Sequence, residues 1–394
     1  MPAQSRPGTA DDAIRGVQPK FVYSPSTVEE CAEVMALGAR DKLRLGFAGG
    51  RTEIGLGAPP SGLDAVVATE RLGRIVEYTP SDMVLIAEAG TPLARIQATA
   101  RAEGQMLAID PPEPERATIG GIVATGGFGP RRARYGTIRD LIIGVTLVRA
   151  DGTVAHGGGK VVKNVAGFDL PKVACGSLGT LGLIATASFR LHPLPEASAT
   201  ARLAGLTAAQ VVATVDAMRR AQLEPTSVEA IRGAGGAYDL GVRFEGFGKG
   251  VSQQMVRLGD LARGVLPDEA FWRAPARAPF RARVASLPSR LPAVDALVEP
   301  ILAALGAGAT FSWYATLGLG SIAGPVADEA ALAAAVGLAR SALVDSGGSL
   351  VVHSSPVALD PWGPLPQAFR LMAELKKRFD PDGRLNPGRF VGGL

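Results

Sequence analysis

The sequence predicts an α+β protein with more than one domain, and three observations support this. The chain has 394 residues, which exceeds the length at which one hydrophobic core is usually built. Hydrophobic residues make up 47% and charged residues 20% of it, as is typical of a globular protein. Segments with helical periodicity alternate with short strand-like segments along most of the chain.

The first predicted elements are one helix and several short strands. Thr27 with Glu30 forms a capping-box pattern that opens an apolar-periodic helix to about Ala39. A strand at 43–48 leads directly into Gly49-Gly50-Arg51-Thr52. Strands are also predicted at 65–68, 74–78 and 83–89. Thr91-Pro92 then predicts an N-cap and first position for a helix ending near Glu103.

The middle of the chain is rich in glycine. Residues 110–136 are predicted to be loop. Strands at 141–149 and 154–156 flank Asp151-Gly152 and are predicted to form a hairpin. A loop at 163–169 and a strand at 181–191 complete this half, which ends at two prolines, Pro193 and Pro195.

The composition changes near residue 196, where strand and helix patterns begin to repeat. Helices are predicted at 207–220, 251–262, 328–344 and 366–379, with strands at 228–231, 237–244, 310–317 and 349–353. This pattern predicts a second, sheet-backed α+β domain. The predicted boundaries are therefore 1–195, 196–379 and a turn-rich tail at 380–394.

Charge, hydropathy and cysteine content exclude several classes of protein. The formal net charge is only +4 and no basic stripe marks a nucleic-acid groove. The chain has no apolar run long enough for a transmembrane helix and no apolar leader near its start, so we expect a cytoplasmic protein. Cys31 and Cys175 are too few for an iron–sulfur cluster of four thiolates, and no metal site is predicted.

Two common glycine motifs do not fit the sequence. Gly55-Leu56-Gly57 is followed by Ala58-Pro59-Pro60, which cannot open the helix of a dinucleotide fold. Gly159-Lys160 lacks the residues of a phosphate-binding P-loop. The segment Gly49-Gly50-Arg51-Thr52 can present backbone amides to an anion such as a diphosphate. Taken alone, a simple turn between two strands explains it equally well.

Several further motifs in order make the pattern specific. Gly90, Thr118-Ile119-Gly120-Gly121, Tyr135-Gly136 with Arg139-Asp140, and the segment 176–184 follow Gly49-Gly50-Arg51-Thr52. This succession resembles the two-subdomain FAD-binding domain of the vanillyl-alcohol oxidase type, here followed by a smaller sheet-backed α+β cap domain. Within that superfamily, residues 126–132 and 163–170 resemble the FAD-binding small subunit of bacterial glycolate oxidase. The tail Leu385-Asn386-Pro387-Gly388 is similar to the end of flavin-linked hydroxyacid oxidases.

The resemblance implies which residues contact FAD. The loop of Gly49, Gly50, Arg51 and Thr52 and the loop from Thr118 to Gly126 would hold the diphosphate and reach the flavin edge. The full set that it implies is Gly49, Gly50, Arg51, Thr52, Thr118, Gly120, Gly121, Ala124, Thr125, Gly126, Tyr135, Gly182, Ile184 and Asn386. No histidine lies in these loops, so we expect noncovalent FAD. The alternative for Gly182 and Ile184 is a place in the sheet core, and the alternative for Asn386 is the cap of a turn.

The catalytic groups stay unassigned at this level. Oxidation of a 2-hydroxy acid needs a base for the hydroxyl proton and a cation for the carboxylate. His353 and Arg132 are candidates, and a structural or surface role is the simpler interpretation of each. Catalytic relatives carry a histidine and an Asp-Gly-Asn motif in the second domain, whereas the nearest stretch here, 313–320, has no histidine or carboxylate.

Three functions therefore remain open. The first is an FAD-binding subunit of a complex that oxidises glycolate to glyoxylate by hydride transfer to flavin. Its implied partners are a larger FAD-binding subunit and an iron–sulfur subunit, through which the complex would reach the inner membrane. The second is a non-catalytic flavin-binding or assembly subunit. The third is a stand-alone FAD-dependent 2-hydroxyacid dehydrogenase.

Overall fold

The computed structural model describes residues 4–159, 168–272 and 277–394. The motif residues Lys163 to Gly167 lie outside this part of the chain. The described residues divide into two compact units. The first contains residues 4–129, 136–159, 168–194 and 364–394, and the second contains 130–135, 195–272 and 277–363.

The described residues form strands and helices throughout both units. The strands are β1 (Gln4–Pro7), β2 (Phe21–Ser24), β3 (Leu45–Ala48), β4 (Ala65–Ala68), β5 (Ile75–Thr79), β6 (Val84–Glu88), β7 (Gln105–Met106), β8 (Ile142–Val148), β9 (Val154–Gly158), β10 (Leu183–Arg190), β11 (His192–Pro193), β12 (Ala197–Leu206), β13 (Ser227–Arg232), β14 (Tyr238–Gly246), β15 (Leu266–Pro267), β16 (Phe280–Ala285), β17 (Thr310–Tyr314), β18 (Leu319–Gly324) and β19 (Ser349–Ser354). The helices are α1 (Val28–Arg40), α2 (Leu93–Ala102), α3 (Ile119–Thr125), α4 (Arg132–Tyr135), α5 (Ile138–Leu141), α6 (Leu170–Ala174), α7 (Ala208–Arg220), α8 (Gly248–Leu261), α9 (Leu291–Leu305), α10 (Glu329–Asp345) and α11 (Phe369–Phe379).

The first unit is built on two main sheets. One has the order β1-β2-β4-β3, in which β2 and β3 both run parallel to β4. The helix α1 connects β2 to β3, which is the long crossover that parallel strands require. The other sheet has the order β5-β6-β10-β8-β9 and is antiparallel. Met35 and Leu45 are fully buried in a core that also includes Leu183 and the tail residue Leu385.

Local sequence signals predicted several of these elements. The Thr27 hydroxyl accepts a hydrogen bond from the amide of Glu30, as a capping residue does. The Glu30 carboxylate, however, accepts from the amide of Ser26 rather than that of Thr27. The hairpin is confirmed, since Val148 of β8 pairs with Val154 of β9. The helix α2 begins one residue later than predicted, with Pro92 as its N-cap.

The prediction of an uninterrupted loop at 110–136 was wrong. Two short helices lie there, α3 and α4. In α3, Ile119, Ile122 and Val123 are buried, and their spacing gives a short helix one apolar face. Burial of that face outweighs the low helix propensity of Gly120 and Gly121.

The second unit is an antiparallel sheet of eight strands with the order β15-β12-β14-β13-β17-β18-β16-β19. It consists of two consecutive β-α-β-β-α-β halves, β12 to β15 and β16 to β19, which join where β13 pairs with β17. The predicted sheet-backed second part of the fold is thus confirmed. The sequence analysis did not predict β12, β16, β18 or α9.

The segment 364–379 is the main difference from the predicted domain boundaries. It was assigned to the second domain, but α11 lies in the first unit. The Lys376 amino group explains this placement because it donates to the carbonyl oxygens of Thr180 (2.8 Å) and Leu385 (2.9 Å). These bonds connect α11 to the segment before β10 and to the tail.

An ion pair at the start of β3 and β4 makes the first unit sensitive to acid. The Asp64 carboxylate accepts from the Arg44 side chain (2.9 Å) and backbone amide (3.0 Å). The Arg44 guanidinium beside Asp64 holds the pKa of that carboxyl well below its usual range. Because the folded-state pKa is depressed, this stabilisation is present above the unfolded pKa of about 4 and is lost as pH falls below it.

We therefore expect Asp64→Asn to reduce the acid sensitivity of the fold. Between pH 5 and pH 3 the Tm of the variant should fall less than that of the wild type, measured by far-UV circular dichroism. The matched control is Asp82→Asn, because Asp82 is exposed and pairs with no cation among the described residues. Equal acid sensitivity of Asp64→Asn and the wild type would contradict the assignment.

Candidate functional site

The two predicted glycine segments lie side by side in the first unit. The loop of Gly49 and Gly50 follows β3, and the Gly50 amide lies 3.4 Å from the Thr118 hydroxyl oxygen at the start of α3. A Cβ on Gly49 would stand 2.2 Å from that oxygen, and a Cβ on Gly50 would stand 1.6 Å from the Arg116 carbonyl oxygen. Only glycine permits this close approach of the two segments.

Four backbone amides in these segments have no carbonyl partner. Those of Gly49, Gly50, Arg51 and Gly121 donate to no backbone oxygen within the described ranges. Arg51 has φ of 58°, so the loop turns through the left-handed region, where consecutive amides can converge as an anion-binding nest. The arrangement can therefore bind an anionic group through the main chain.

The three glycines Gly120, Gly121 and Gly182 have different surroundings. The Gly120 amide donates to the Ala89 carbonyl oxygen (2.7 Å), and a Cβ there would lie 2.7 Å from the Ala89 Cβ. A Cβ on Gly182 would lie 2.8 Å from Leu147. Packing against neighbouring strands thus explains both. Beside Gly121 the space is open, since the nearest atom to a Cβ would be the Thr118 hydroxyl at 3.4 Å.

The end of α3 holds the segment before β10. The Ala124 carbonyl oxygen accepts from the Leu178 amide (2.8 Å). The Thr125 hydroxyl donates to the Gly121 carbonyl oxygen (2.8 Å). Gly126 ends the helix with φ of 65°, in the left-handed region that favours glycine. These contacts fix the orientation of α3, so its residues have a structural role whatever else they bind.

Asn386 returns from the tail to the same region. Its amide donates to the Leu45 carbonyl oxygen (2.7 Å), and its side-chain nitrogen donates to the Leu178 carbonyl oxygen (2.8 Å). The residue is 2% exposed, yet its side-chain oxygen has no hydrogen-bond partner. A buried acceptor without a donor is costly, so this oxygen is suited to a donor on a bound molecule.

Three arginine side chains make the surroundings of the β3 loop electropositive. The Arg389 guanidinium donates to the carbonyl oxygens of Ile54 (2.7 Å) and Leu56 (2.6 Å). Burial, followed by repulsion from Arg15 and Arg51, lowers the pKa of Arg389 to about 10. Repulsion between cations is relieved by an anion. Sequence reasoning missed Arg15 and Arg389, although Arg389 directly follows the Pro387-Gly388 turn.

The remaining predicted site residues are dispersed. Thr52 follows Arg51 on the same loop, and Ile184 lies buried in β10. Arg132 and Tyr135 are the ends of α4 and belong to the second unit. His353 is in β19, also in the second unit, and is 8% exposed. The structure thus brings the two glycine segments and Asn386 together within one unit, and does not place the two catalytic candidates in that unit.

A polar face on the second unit was not predicted from the sequence. Along β16, Phe280, Ala282 and Val284 are buried, whereas Arg281 and Arg283 are on the opposite face. Arg283 pairs with Ser321 of β18, which pairs with Ser312 of β17. This face presents guanidinium and hydroxyl groups, which are the groups that bind carboxylates.

The comparison with known proteins identifies the family. The chain is 31% identical over 384 residues to the glycolate oxidase subunit GlcE of Escherichia coli (strain K12), covering 94% of this chain and 98% of that protein. The chain belongs to the GlcE family of glycolate oxidase subunits. The family resemblance inferred from the sequence is therefore confirmed.

Two domain families match this GlcE-family chain. Residues 19–158 match the FAD binding domain family, and residues 365–390 match the C-terminal domain of FAD linked oxidases. The first match includes both glycine segments, and the second includes Asn386 and Arg389. The chain therefore contains an FAD-binding domain and a C-terminal segment of the FAD-linked oxidase type.

More distant relatives share part of the sequence or the fold alone. The D-lactate dehydrogenase of Archaeoglobus fulgidus is 33% identical over 183 residues, which is 46% of this chain and 40% of that protein. A solved structure of alkyldihydroxyacetonephosphate synthase superposes with a TM-score of 0.71 at 17% identity, covering 96% of this chain and 80% of that one. The α+β fold class, with an FAD-binding domain and a second sheet domain, is confirmed.

Proposed function

We propose that this chain is the FAD-binding subunit of a glycolate-oxidising complex. The complex oxidises glycolate, a 2-hydroxy acid, to glyoxylate together with a larger FAD-binding subunit and an iron–sulfur subunit. The observation that carries the proposal is a group of backbone amides that donate to no backbone oxygen: those of Gly49, Arg51 and Gly121, and that of Gly50, which meets only the Thr118 hydroxyl. They lie within a chain that aligns with GlcE along almost its whole length.

The residues of the first unit fit FAD. The unengaged amides and the nearby guanidinium groups suit a doubly charged diphosphate. The unpaired Asn386 oxygen suits a donor group on the cofactor. FAD, when bound, supplies a ring that accepts a hydride. The β3 loop, α3 and the tail of this chain would hold and orient the cofactor.

Dependence on partner subunits is supported by where the histidines lie. His156 is in β9 and its ring bonds the Thr146 hydroxyl (3.1 Å), and His192 is in β11. Neither lies on the glycine segments, and His353 is in the second unit. No group of three His, Cys, Asp or Glu side chains in the described ranges could hold a metal ion. We assign the base for the hydroxyl proton to a partner subunit, with His353 as the alternative within this chain.

The substrate carboxylate needs a cation, and the chain offers two sets. Arg132 in α4 was the candidate from sequence. On the polar face with Arg281 and Arg283, Arg283 is in register with two serines, Ser321 of β18 and then Ser312 of β17. We assign the carboxylate to that face, with His353 and Arg132 kept as the alternative catalytic candidates.

The location of the complex is part of the proposal. No helix in the described residues is long and apolar enough to cross a bilayer. We place the chain in the cytoplasm, with any attachment to the inner membrane made by partner subunits.

The purified chain is expected to be yellow, with one FAD per polypeptide. Addition of glycolate alone should leave the flavin spectrum unchanged, and addition of glycolate with the two partner subunits should bleach it. Bleaching by glycolate in the isolated chain would instead identify a stand-alone dehydrogenase. A flavin that stays oxidised in the complete, active complex would identify a non-catalytic assembly subunit. A colourless chain that cannot be reconstituted with FAD would refute both the proposal and the stand-alone dehydrogenase, and would leave an assembly subunit without flavin.

The mode of attachment is tested on the same sample. Acid precipitation should release all the flavin into the supernatant, because the β3 loop and α3 contain no histidine or cysteine that could bond the ring. Flavin that remains on the precipitated polypeptide would contradict noncovalent binding.

A further inference from the structure

The second unit contains a cavity that the proposed function does not use. Its volume is about 420 Å³, within the range of small-molecule sites. All of its lining residues belong to the second unit. It lies where the two β-α-β-β-α-β halves join, between α7 of the first half and residues 287–289 and 313–316 of the second.

The walls of this cavity are apolar. Val211, Val215 and Met218 lie on one face of α7 at helical spacing, and Leu223 and Leu287 extend the wall. Val211 and Met218 are buried, whereas Leu287 is 64% exposed and marks the open side. An apolar molecule can therefore enter from solvent and lose most of its contact with water.

Two polar atoms on the lining residues have no partner. The Trp313 ring nitrogen and the Thr316 hydroxyl oxygen are both buried, and neither makes a hydrogen bond. Trp313 is fully buried in β17. Each unpaired group costs the free protein about 1–3 kcal/mol in desolvation. Both atoms are closed to solvent in the free protein, so a ligand oxygen would accept from the indole N–H and meet the hydroxyl after the lining side chains shift, and it would then remove that cost.

The charge of the lining indicates a neutral ligand. Arg219 is the one cation among the described lining residues, and it pairs with Asp216 at 3.5 Å on the exposed surface of α7. No cation stands beside Trp313 or Thr316 on that lining. A carboxylate at this depth would be buried without a counter-ion, which is strongly unfavourable, whereas a ketone, ester or amide oxygen needs only a donor.

We propose that this cavity is a binding site for a neutral, largely apolar molecule with a carbonyl oxygen. The apolar body packs against α7 and Leu287. The carbonyl oxygen accepts a hydrogen bond from the Trp313 indole N–H, and the Thr316 hydroxyl provides a second one. Every lining residue of this site is in the second unit, and none belongs to the glycine segments of the first.

The fluorescent ketone prodan is a suitable probe because it is neutral and apolar and its emission shifts to the blue in apolar surroundings. We expect saturable binding of one prodan per chain of the purified protein with its FAD. Trp313→Phe and Thr316→Val should each weaken binding about 3-fold to 10-fold, which corresponds to one lost hydrogen bond. Val215→Phe, which fills the cavity, should abolish saturable binding.

Thermal stability and prodan affinity, measured together, distinguish a binding site from a packing defect. Thr316→Val replaces an unpaired hydroxyl with a methyl group, so its Tm should equal or exceed that of the wild type although it binds prodan less tightly. The matched control is Trp272→Phe, because the Trp272 ring nitrogen already bonds Thr200 (2.9 Å) and lies outside the cavity. It should bind prodan as the wild type does.

Two results would overturn the proposal. One is the absence of saturable binding to the wild type, and the other is unchanged affinity in Val215→Phe, which would mean that the dye binds elsewhere. All variants are expected to keep one FAD per chain. A protein that holds FAD but does not bind prodan would refute only the cavity proposal, and a colourless protein that binds prodan would refute only the flavin assignment.

Discussion

Gly121→Asp is expected to abolish FAD retention without unfolding the protein. A side chain fits at this position because the nearest atom to a Cβ, the Thr118 hydroxyl oxygen, is at 3.4 Å. Gly121 is the third residue of α3, where a carboxylate favours the helix. The loss of FAD must then come from a negative charge beside an unengaged amide that is assigned to the diphosphate.

The size of this effect follows from the cost of opposing like charges. Placing a carboxylate beside the diphosphate costs several kcal/mol, so the affinity for FAD should fall by at least about 100-fold. The measurement is FAD stoichiometry after gel filtration, followed by the dissociation constant from flavin fluorescence. Thermal unfolding of the FAD-free forms should show that the variant is at least as stable as the wild type.

Two further variants at the same position separate charge from bulk. Gly121→Asn has the same shape as the aspartate without its charge and should lose much less affinity. Gly121→Ala should fold at least as stably as the wild type, because alanine favours a helix by roughly 1 kcal/mol over glycine. Normal FAD stoichiometry in Gly121→Asp would mean that the diphosphate lies elsewhere. An equal loss in the aspartate and asparagine variants would mean that space, not charge, is decisive.

Local sequence signals were sufficient for much of the first unit. Thr27 with an apolar-periodic segment predicted α1, and the alternation of β3 led directly to the loop that approaches α3. Both features depend on neighbouring residues, so they can be read from a short window of sequence. A short window of sequence was not sufficient to identify the glycine segments as an FAD site. A turn explains Gly49 and Gly50 equally well when the other motifs are ignored.

Elements that depend on distant contacts could not be predicted in this way. The helix α3 contains Gly120 and Gly121 and exists because its apolar face is buried. The helix α9 contains Pro300, which removes one backbone hydrogen bond, yet Val294, Val298 and Ile301 are buried along it. In both, tertiary burial outweighs an unfavourable local propensity.

The candidate site also depends on contacts between residues that are distant in sequence, so the sequence alone could not predict it in full. Arg389 is more than 330 residues away in sequence from the carbonyl oxygens that it contacts at Ile54 and Leu56. The unpaired oxygen of Asn386 is evident only when Leu45 and Leu178 are seen around it. The sequence can indicate which residue types suit FAD, but the free amides and the unpaired oxygen are properties of the packed chain.

Lys376→Met is expected to destabilise the first unit by about 3–5 kcal/mol, the usual cost of leaving one member of a buried ion pair unpaired. The Lys376 amino group lies 2.6 Å from the Asp380 carboxylate, and these residues are 7% and 1% exposed. The same carboxylate accepts from the Leu385 amide (2.8 Å). Removing the amino group therefore leaves a buried charge and frees both α11 and the tail that carries Asn386.

The position of the tryptophans allows this effect to be assigned to one unit. Trp272, Trp313 and Trp362 all belong to the second unit, so tryptophan fluorescence follows that unit, whereas far-UV circular dichroism follows both. In urea, the Lys376→Met variant should lose circular dichroism at a lower concentration than the wild type, with the fluorescence transition changed less. Lys377→Met, at an exposed neighbour, should stay within about 0.5 kcal/mol of the wild type.

A double variant then separates the charge from the lost packing. Lys376→Met with Asp380→Asn removes the unpaired carboxylate and should be more stable than Lys376→Met alone, since the buried charge is the larger cost. FAD retention should follow the same order, because Asn386 is held by the tail that these residues anchor. If Lys376→Met were as stable as Lys377→Met, the tail would be held by its other contacts and not by this pair. Those contacts are the bonds from Arg384 to the Ala150 carbonyl oxygen (2.8 Å) and from Arg389 to Ile54 and Leu56.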